Sequence, residues 1–271
     1  TTEWLFLLCN GNSRQQRGVV ALCPKAQMDM TLFRTADGDP IPAVTAPEMA
    51  AIDRIAVEES GLGIIQMMEH AGRELARAAL DTDHEAFTVV AGGGGNGGGG
   101  LACCRHLAAR DRLHTVVLDR PPAAYEGAPA TQLALVQQTD AEVITARAAA
   151  DRATDAISEA TGVVDALIGY GLTGAPRGLA ATLIAAMNAA APVSSLDVPS
   201  GVDATTGEAA GAAVTPAQTV TLALPKTGLT TTPGDITCVD LGIPAAVYEA
   251  AEIPANTPFG DQFRVTVTPA D

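Results

Sequence analysis

Positive charge is in short supply. Lys and Arg number 16 against 31 Asp and Glu, a formal net charge of -15 over 271 residues. Such a chain repels a phosphate backbone unless basic residues gather locally, and no basic patch stands out, so nucleic acid is not an expected partner. Long apolar runs are missing as well. Every such stretch falls short of the roughly 18 to 20 residues that a membrane span requires, and charges or glycines interrupt it. No transmembrane helix is expected. The five cysteines (Cys9, Cys23, Cys103, Cys104, Cys238) form an odd set with no CxxC spacing. That argues against a zinc site and a disulfide framework, and it fits a reducing cytoplasm. Cys103 and Cys104 read as small buried thiols. Aromatic residues make up only 3% of the chain. With the acidity, this fits a protein kept soluble in concentrated salt, where a Debye length of about 3 Å screens self-repulsion. An ordinary acidic protein is the alternative.

Apolar residues are plentiful at 47%, enough to bury a core in one large α/β domain or two small ones. Residues 1–29 differ from the rest. The apolar run Trp4 to Cys9 precedes the polar, basic Asn10 to Arg17, the reverse of a signal peptide. This stretch reads as a leader or accessory segment, with Met28 and Met30 as candidate starts, and residues 30–271 as a single domain. Apolar residues at three- and four-residue spacing predict helices over Glu48 to Glu59 and Ile64 to Leu80, broken by Gly61 and Gly63. Strands follow at Phe87 to Ala91, His114 to Leu118, Val143 to Thr145, Val163 to Ile168 and Val193 to Leu196, with Thr219 to Leu224 and Ile236 to Val239 closing the chain. Between them lie helices at about Leu101 to Arg110, Pro129 to Thr139, Asp151 to Ala160 and Leu179 to Ala190. This alternation predicts a three-layer, Rossmann-like α/β fold with a mostly parallel sheet flanked by helices, and no internal repeat.

In such sheets ligands bind beyond the carboxyl ends of the strands, and the unusual residues gather there. Gly92 to Gly100 holds eight glycines in nine positions around Asn96, between an apolar strand and a helix. Ordering that loop costs backbone entropy, and glycine lets amide N–H groups converge on an anion at a helix start. No Lys-Ser or Lys-Thr pair follows, so it is not a P-loop. Asp165 sits inside an apolar strand ahead of Gly169-Tyr170-Gly171-Leu172-Thr173-Gly174. Buried there, its carboxylate must meet either a cation or several hydrogen-bond donors. Asp197-Val198-Pro199-Ser200-Gly201 ends another strand and fits either a cleft-facing pair, Asp197 and Ser200, or a simple turn.

Taken in order, these clusters resemble the YjeF N-terminal domain family, the epimerases of hydrated nicotinamide cofactors. Thr45-Ala-Pro-Glu-Met49 with Asp53-Arg54 resembles the family's opening helix, and Met68-Glu69-His70-Ala71-Gly72 its Met-Glu-Asn-Ala-Gly motif. Asp165 to Gly174, Asp197 to Gly201, Pro225-Lys226 and Leu241 to Pro244 follow in the family's sequence. The resemblance covers about residues 42–250. It implies a potassium ion held by Asn96, Asp165 and Ser200, whose oxygen donors suit a hard cation. It implies a substrate site formed by Gly95, Asn96, Gly97, Gly98 and Gly99, by Gly169, Tyr170, Gly171, Leu172, Thr173, Gly174 and Ala175, and by Asp197. Asp197 is the candidate catalytic acid/base. A homodimer is implied, and so is a dehydratase carried on a separate protein, because the chain is too short for both activities.

Three departures stand out. Gly95 replaces an Asn and Gly99 an Asp of the family's usual loop, and His70 replaces an Asn. Lys226 fits either a place near the substrate phosphates or a solvated surface. His84, His106 and His114 share no motif. Two other readings stay open: a non-catalytic nucleotide-binding or dimerisation module, and an NAD-dependent dehydrogenase in which Asp119, about 20 residues past the glycines, holds a ribose.

Overall fold

Seven apolar runs stack side by side as the parallel part of one ten-stranded sheet in the computed structural model. The structure describes residues 31–190, 192–254 and 258–270. The expected leader, residues 1–29, lies outside the described residues. The parallel strands are β3 (Phe87–Ala91), β4 (Leu113–Leu118), β5 (Glu142–Thr145), β6 (Gly162–Ala166), β7 (Val193–Leu196), β8 (Gln218–Leu222) and β9 (Asp235–Val239). An antiparallel edge that the sequence reading did not anticipate completes the sheet: β1 (Thr31–Thr35), β2 (Pro40–Pro42) and β10 (Arg264–Pro269). The order is β2-β1-β10-β9-β8-β7-β6-β3-β4-β5. The strand Asp235–Val239 therefore does not close the chain, since a short helix, α7 (Ala245–Ala250), and β10 follow it.

Each central strand is buried on both faces, as parallel strands are. Val89 and Ala91 of β3 join one core with α2 (Ile64–Leu80), α3 (Gly95–Ala108) and α4 (Gly127–Val136). Val90 joins a second core with α5 (Ala150–Ser158) and α6 (Leu179–Ala189). The period-two alternation of a strand thus feeds a helical layer on each side. A third core, with Phe33, Ile236, Val265 and Val267, supports the antiparallel edge.

Two helices differ from expectation. The opening helix, α1 (Ala46–Arg54), starts in a capping box: the Thr45 N–H donates to Glu48 Oε2 at 2.7 Å, and Glu48 N–H to Thr45 Oγ1 at 3.4 Å. It ends at Arg54, and Ile55–Glu59 continue as a wider π-turn. The second difference is α3. It begins inside the glycine run, six residues before the expected Leu101. Helical glycine is unfavourable on propensity, but close packing overrides it: Gly98 lies against Met68, Gly99 against Leu196 and Gly100 against Ala166, with no side chain to hold the elements apart.

Among the described residues no helix is long and apolar enough to cross a membrane. Cys103, Cys104 and Cys238 are buried free thiols. Burial pushes all three thiol pKa values up, that of Cys238 to about 12, so they act as small core residues.

Candidate functional site

The chain leaves β3, builds β4 and β5 on one side, then crosses back to place β6 on the other side of β3. This reversal opens a crevice beyond the carboxyl ends of β3 and β6, where open α/β sheets bind ligands. A cleft of about 640 Å³ lies there. It reaches from Asp119 and Arg120 at the end of β4, past Asn96 and Tyr170, to Asp197 and Lys226. Met49, Met67, Leu196, Leu222 and Leu241 give it apolar walls. Apolar walls with a few fixed polar groups are the general form of a small-molecule site.

The glycine segment forms the β3 side of the cleft. A Cβ on Gly97 would overlap the Gly92 carbonyl, and one on Gly92 would overlap the Leu167 carbonyl, so backbone meets backbone at both places. Gly94 caps α3 without a side chain, leaving amide N–H groups at the helix start for an anion. Gly95 faces open space. Gly95, Asn96 and Gly99 line the cleft, whereas Gly97 and Gly98 are buried in the helix and act by letting it approach its neighbours. These differences are measurable by thermal unfolding. Gly97→Ala is expected to cost at least about 3 kcal/mol, because a backbone carbonyl cannot rotate out of the way. Gly95→Ala is expected to gain about 0.5–1 kcal/mol by stiffening an open helical position.

Asp165 is fully buried on β6 and meets four donors. Its Oδ1 accepts from Ser200 Oγ–H at 2.6 Å and the Leu167 N–H at 3.2 Å. Its Oδ2 accepts from the Ser200 N–H and from Ser195 Oγ–H, each at 2.9 Å. Burial raises its carboxyl pKa above the ordinary range, against the pull of these bonds. Ser200 Oγ also accepts from the Ile168 N–H at 2.8 Å. Asn96 packs against Gly169, so Asp165, Ser200 and Asn96 surround one short turn, Leu167–Gly169. Asn96 Nδ2 is buried without a partner. The oxygen donors around that turn are of amide, carboxylate, hydroxyl and backbone carbonyl type. Such a set fits a hard monovalent cation. Among the described residues no cluster of three His, Cys, Asp or Glu side chains could hold a metal.

At the end of β7 the backbone bends sharply. Asp197 has φ +65°, and the Val198 N–H donates to the Leu196 carbonyl at 2.8 Å, closing a γ-turn. The end of β8 repeats this: Ala223 has φ +61°, and the Leu224 N–H donates to the Leu222 carbonyl at 2.7 Å. Positive φ at a residue with a side chain costs about 1–3 kcal/mol and gathers at functional positions. Here it turns the Asp197 side chain into the cleft. Of the two places open to Lys226, burial removes the solvated surface: it is fully buried and lines the cleft. Its Nζ forms an ion pair with Asp197 Oδ1 and donates to the Leu222 carbonyl at 2.8 Å. The Leu222 N–H adds a bond to the same Asp197 oxygen at 3.2 Å.

The sequence reading placed Asp53 in the opening helix and gave it no site role. It lines the cleft from α1 and accepts from Tyr170 Oη–H at 2.5 Å. Gly169, Tyr170 and Gly171 are on the cleft wall, while Leu172, Thr173, Gly174 and Ala175 continue outward as a partly exposed loop toward α6. Asp119 is held by Arg120 through two bonds of 2.9 Å and accepts from Tyr125 Oη–H at 3.4 Å. His70 lies beside Gly242, and His106 bonds Glu69 at 2.8 Å. Neither lines the cleft.

The model of the family described as YjeF-related protein N-terminus matches residues 64–228. An NAD(P)H-hydrate epimerase from Dehalogenimonas lykanthroporepellens is 42% identical over 251 residues, covering 88% of this chain and 98% of that protein. A bifunctional NAD(P)H-hydrate repair enzyme from Salinibacter ruber is 36% identical over 240 residues, covering 79% of this chain and 43% of that longer protein. The crystal structure of yeast ynu0, YNL200c, matches 83% of this chain and all of its own with a TM-score of 0.68. At 22% identity that match speaks for the fold.

Proposed function

The chain belongs to the family of YjeF-related protein N-termini, and on that premise we propose that it is an NAD(P)H-hydrate epimerase, an isomerase interconverting the R and S forms of hydrated NADH and NADPH. The observation that supports this best is the buried Asp197–Lys226 pair at one end of a nucleotide-sized cleft. A pure binding module has no need of such a pair.

The hydrate carries a hydroxyl on C6, beside the ring nitrogen. Inversion proceeds either by losing and regaining that hydroxyl through an iminium-like intermediate, or by breaking the bond from C6 to the ring nitrogen and reclosing the ring. Both routes move a proton on or off the C6 oxygen, and the iminium route builds positive charge along the bond from C6 to the ring nitrogen. Asp197 is the acid/base of this reading, and its carboxylate also stabilises the charge. Lys226 and the Leu222 N–H fix that carboxylate in place. The apolar walls lower the local dielectric and strengthen its field. The start of α3 receives the substrate's pyrophosphate, and the turn from Gly169 to Ala175 borders the same substrate.

A potassium ion belongs to the same proposal, held by Asn96, Asp165 and Ser200. When bound it supplies positive charge beside the phosphate end of the cleft. The reading extends to a homodimer in the cytoplasm and to a dehydratase that consumes the usable isomer.

The test follows separated hydrates by chromatography in potassium, then with lithium in its place. Faster interconversion in potassium, together with a higher unfolding temperature, is expected. Equal rates and equal unfolding temperatures in the two salts would remove the ion from the reading and leave the epimerase part standing.

A further inference from the structure

By the iminium route, inversion at C6 requires the hydroxyl to depart from one face and return on the other, whereas a single fixed carboxylate reaches one face of a ring. The cleft holds a second carboxylate. Asp53 is placed by backbone pairing that runs through Lys226 itself: Val44 bridges Lys226, the Val44 N–H donates to the Pro225 carbonyl and the Thr227 N–H to the Val44 carbonyl, each at 2.9 Å. Two residues on, α1 begins, anchored by a 3.0 Å bond from the Ala46 N–H to Thr205 Oγ1. Asp53 is thereby registered against the Asp197–Lys226 pair, and Tyr170, from the turn after β6, holds it at 2.5 Å. The helix changes to a π-turn at Ile55, just beyond it, a feature frequent at functional sites.

We propose that Asp53 is a second catalytic residue and that it works opposite Asp197, each carboxyl group serving one face of C6. This rests on the epimerase reading. In one direction the Asp53 carboxyl gives its proton to the C6 hydroxyl as the C–O bond breaks. Water leaves, and the ring-nitrogen lone pair forms the C=N bond. A water molecule then adds to the other face, its oxygen lone pair forming the new bond to C6 as the C=N pair returns to the ring nitrogen, while Asp197 accepts its proton. The reverse direction exchanges the two roles, and solvent resets the protons between turnovers.

The two groups have different surroundings. Burial, the largest influence, raises the Asp53 carboxyl pKa above the ordinary range. The Tyr170 hydroxyl bond and the Lys226 charge oppose that, and the Asp197 charge adds to it. Tyr248, from α7, also lies within electrostatic reach. Asp197 is in direct ion-pair contact with the Lys226 ammonium.

Asp53→Asn keeps an acceptor for Tyr170 and is nearly isosteric. It is expected to lower kcat for epimerisation about 100-fold or more, with KM and unfolding temperature within twofold and about 2 °C of wild type. The distinguishing readout is oxygen exchange in water enriched in ¹⁸O. Asp53→Asn should still exchange the hydroxyl of one isomer, on the Asp197 face, without inverting it. A merely structural residue would lose exchange in both isomers together. Wild-type epimerisation by Asp53→Asn, or loss of exchange in both isomers alike, would overturn the proposal. An inactive wild-type protein would instead overturn the epimerase reading on which it rests.

Discussion

Asp197→Asn is expected to lower the epimerisation rate by about 100- to 10,000-fold, the usual contribution of a positioned acid/base. The amide keeps the size of the side chain and can still accept from the Leu222 N–H, so the γ-turn at φ +65° can persist. What disappears is the proton acceptor and the negative charge beside C6. The loss should fall on kcat far more than on KM, because the α3 start proposed to receive the pyrophosphate is untouched. The substitution also strips Lys226 of its counterion in a buried site. A lower unfolding temperature should therefore accompany the kinetic loss, and circular dichroism below that temperature should show an intact fold. Retention of wild-type activity would remove Asp197 from the chemistry.

Lys226→Met carries the second large effect, chiefly in stability. Methionine fills much of the space of lysine without its charge. It leaves Asp197 buried with no cation, and losing one partner of a buried pair costs about 3–5 kcal/mol. For a domain of this size that is roughly 10 °C in the unfolding midpoint. Combining Lys226→Met with Asp197→Asn should recover much of the loss, because the double variant has no uncompensated charge. Full additivity of the two losses would mean that the ammonium and the carboxylate act independently, against the geometry of the site. Lys226→Met should also slow epimerisation, since Asp197 would lose the contact that holds it in the cleft.

The sheet was legible because its parallel strands carry short apolar runs between helices, and all seven were found to within a few residues. The antiparallel edge was not. β2 has three residues, Pro40–Pro42, and β10, Arg-Val-Thr-Val-Thr-Pro, is polar at alternate positions, so neither stands out from loop. Glycine composition pointed to a loop where α3 actually starts, because intrinsic propensity contains nothing about Met68, Leu196 and Ala166 packing against Gly98, Gly99 and Gly100. The same packing bears on the departure at position 99. A Cβ there would be 2.8 Å from Leu196 Cδ2, so the Asp usual in the family would require Leu196 to move. At Gly95, where the family has Asn, the space is open.

The site was legible in part. Asp165 was expected to meet a cation or several donors, and the structure supplies four donors. Asn96 and Ser200 were expected beside it and stand around the same turn. The burial of Lys226 was not legible, because a lysine after proline in a loop carries no pattern that signals burial, and its partner is 29 residues earlier. Asp53 was read as part of an opening helix. Only the tertiary contact with Tyr170, 117 residues away, identifies it as a cleft residue. Charges that pair across such distances leave no local period to read.

The most direct test starts from each pure isomer separately. Purified protein in potassium is mixed with the R hydrate of NADH in one vessel and the S hydrate in another, and both isomers are followed over time. Convergence of the two vessels on one ratio, much faster than without protein, is the predicted result. Two vessels that keep to the uncatalysed rate, with the protein folded, would contradict the account.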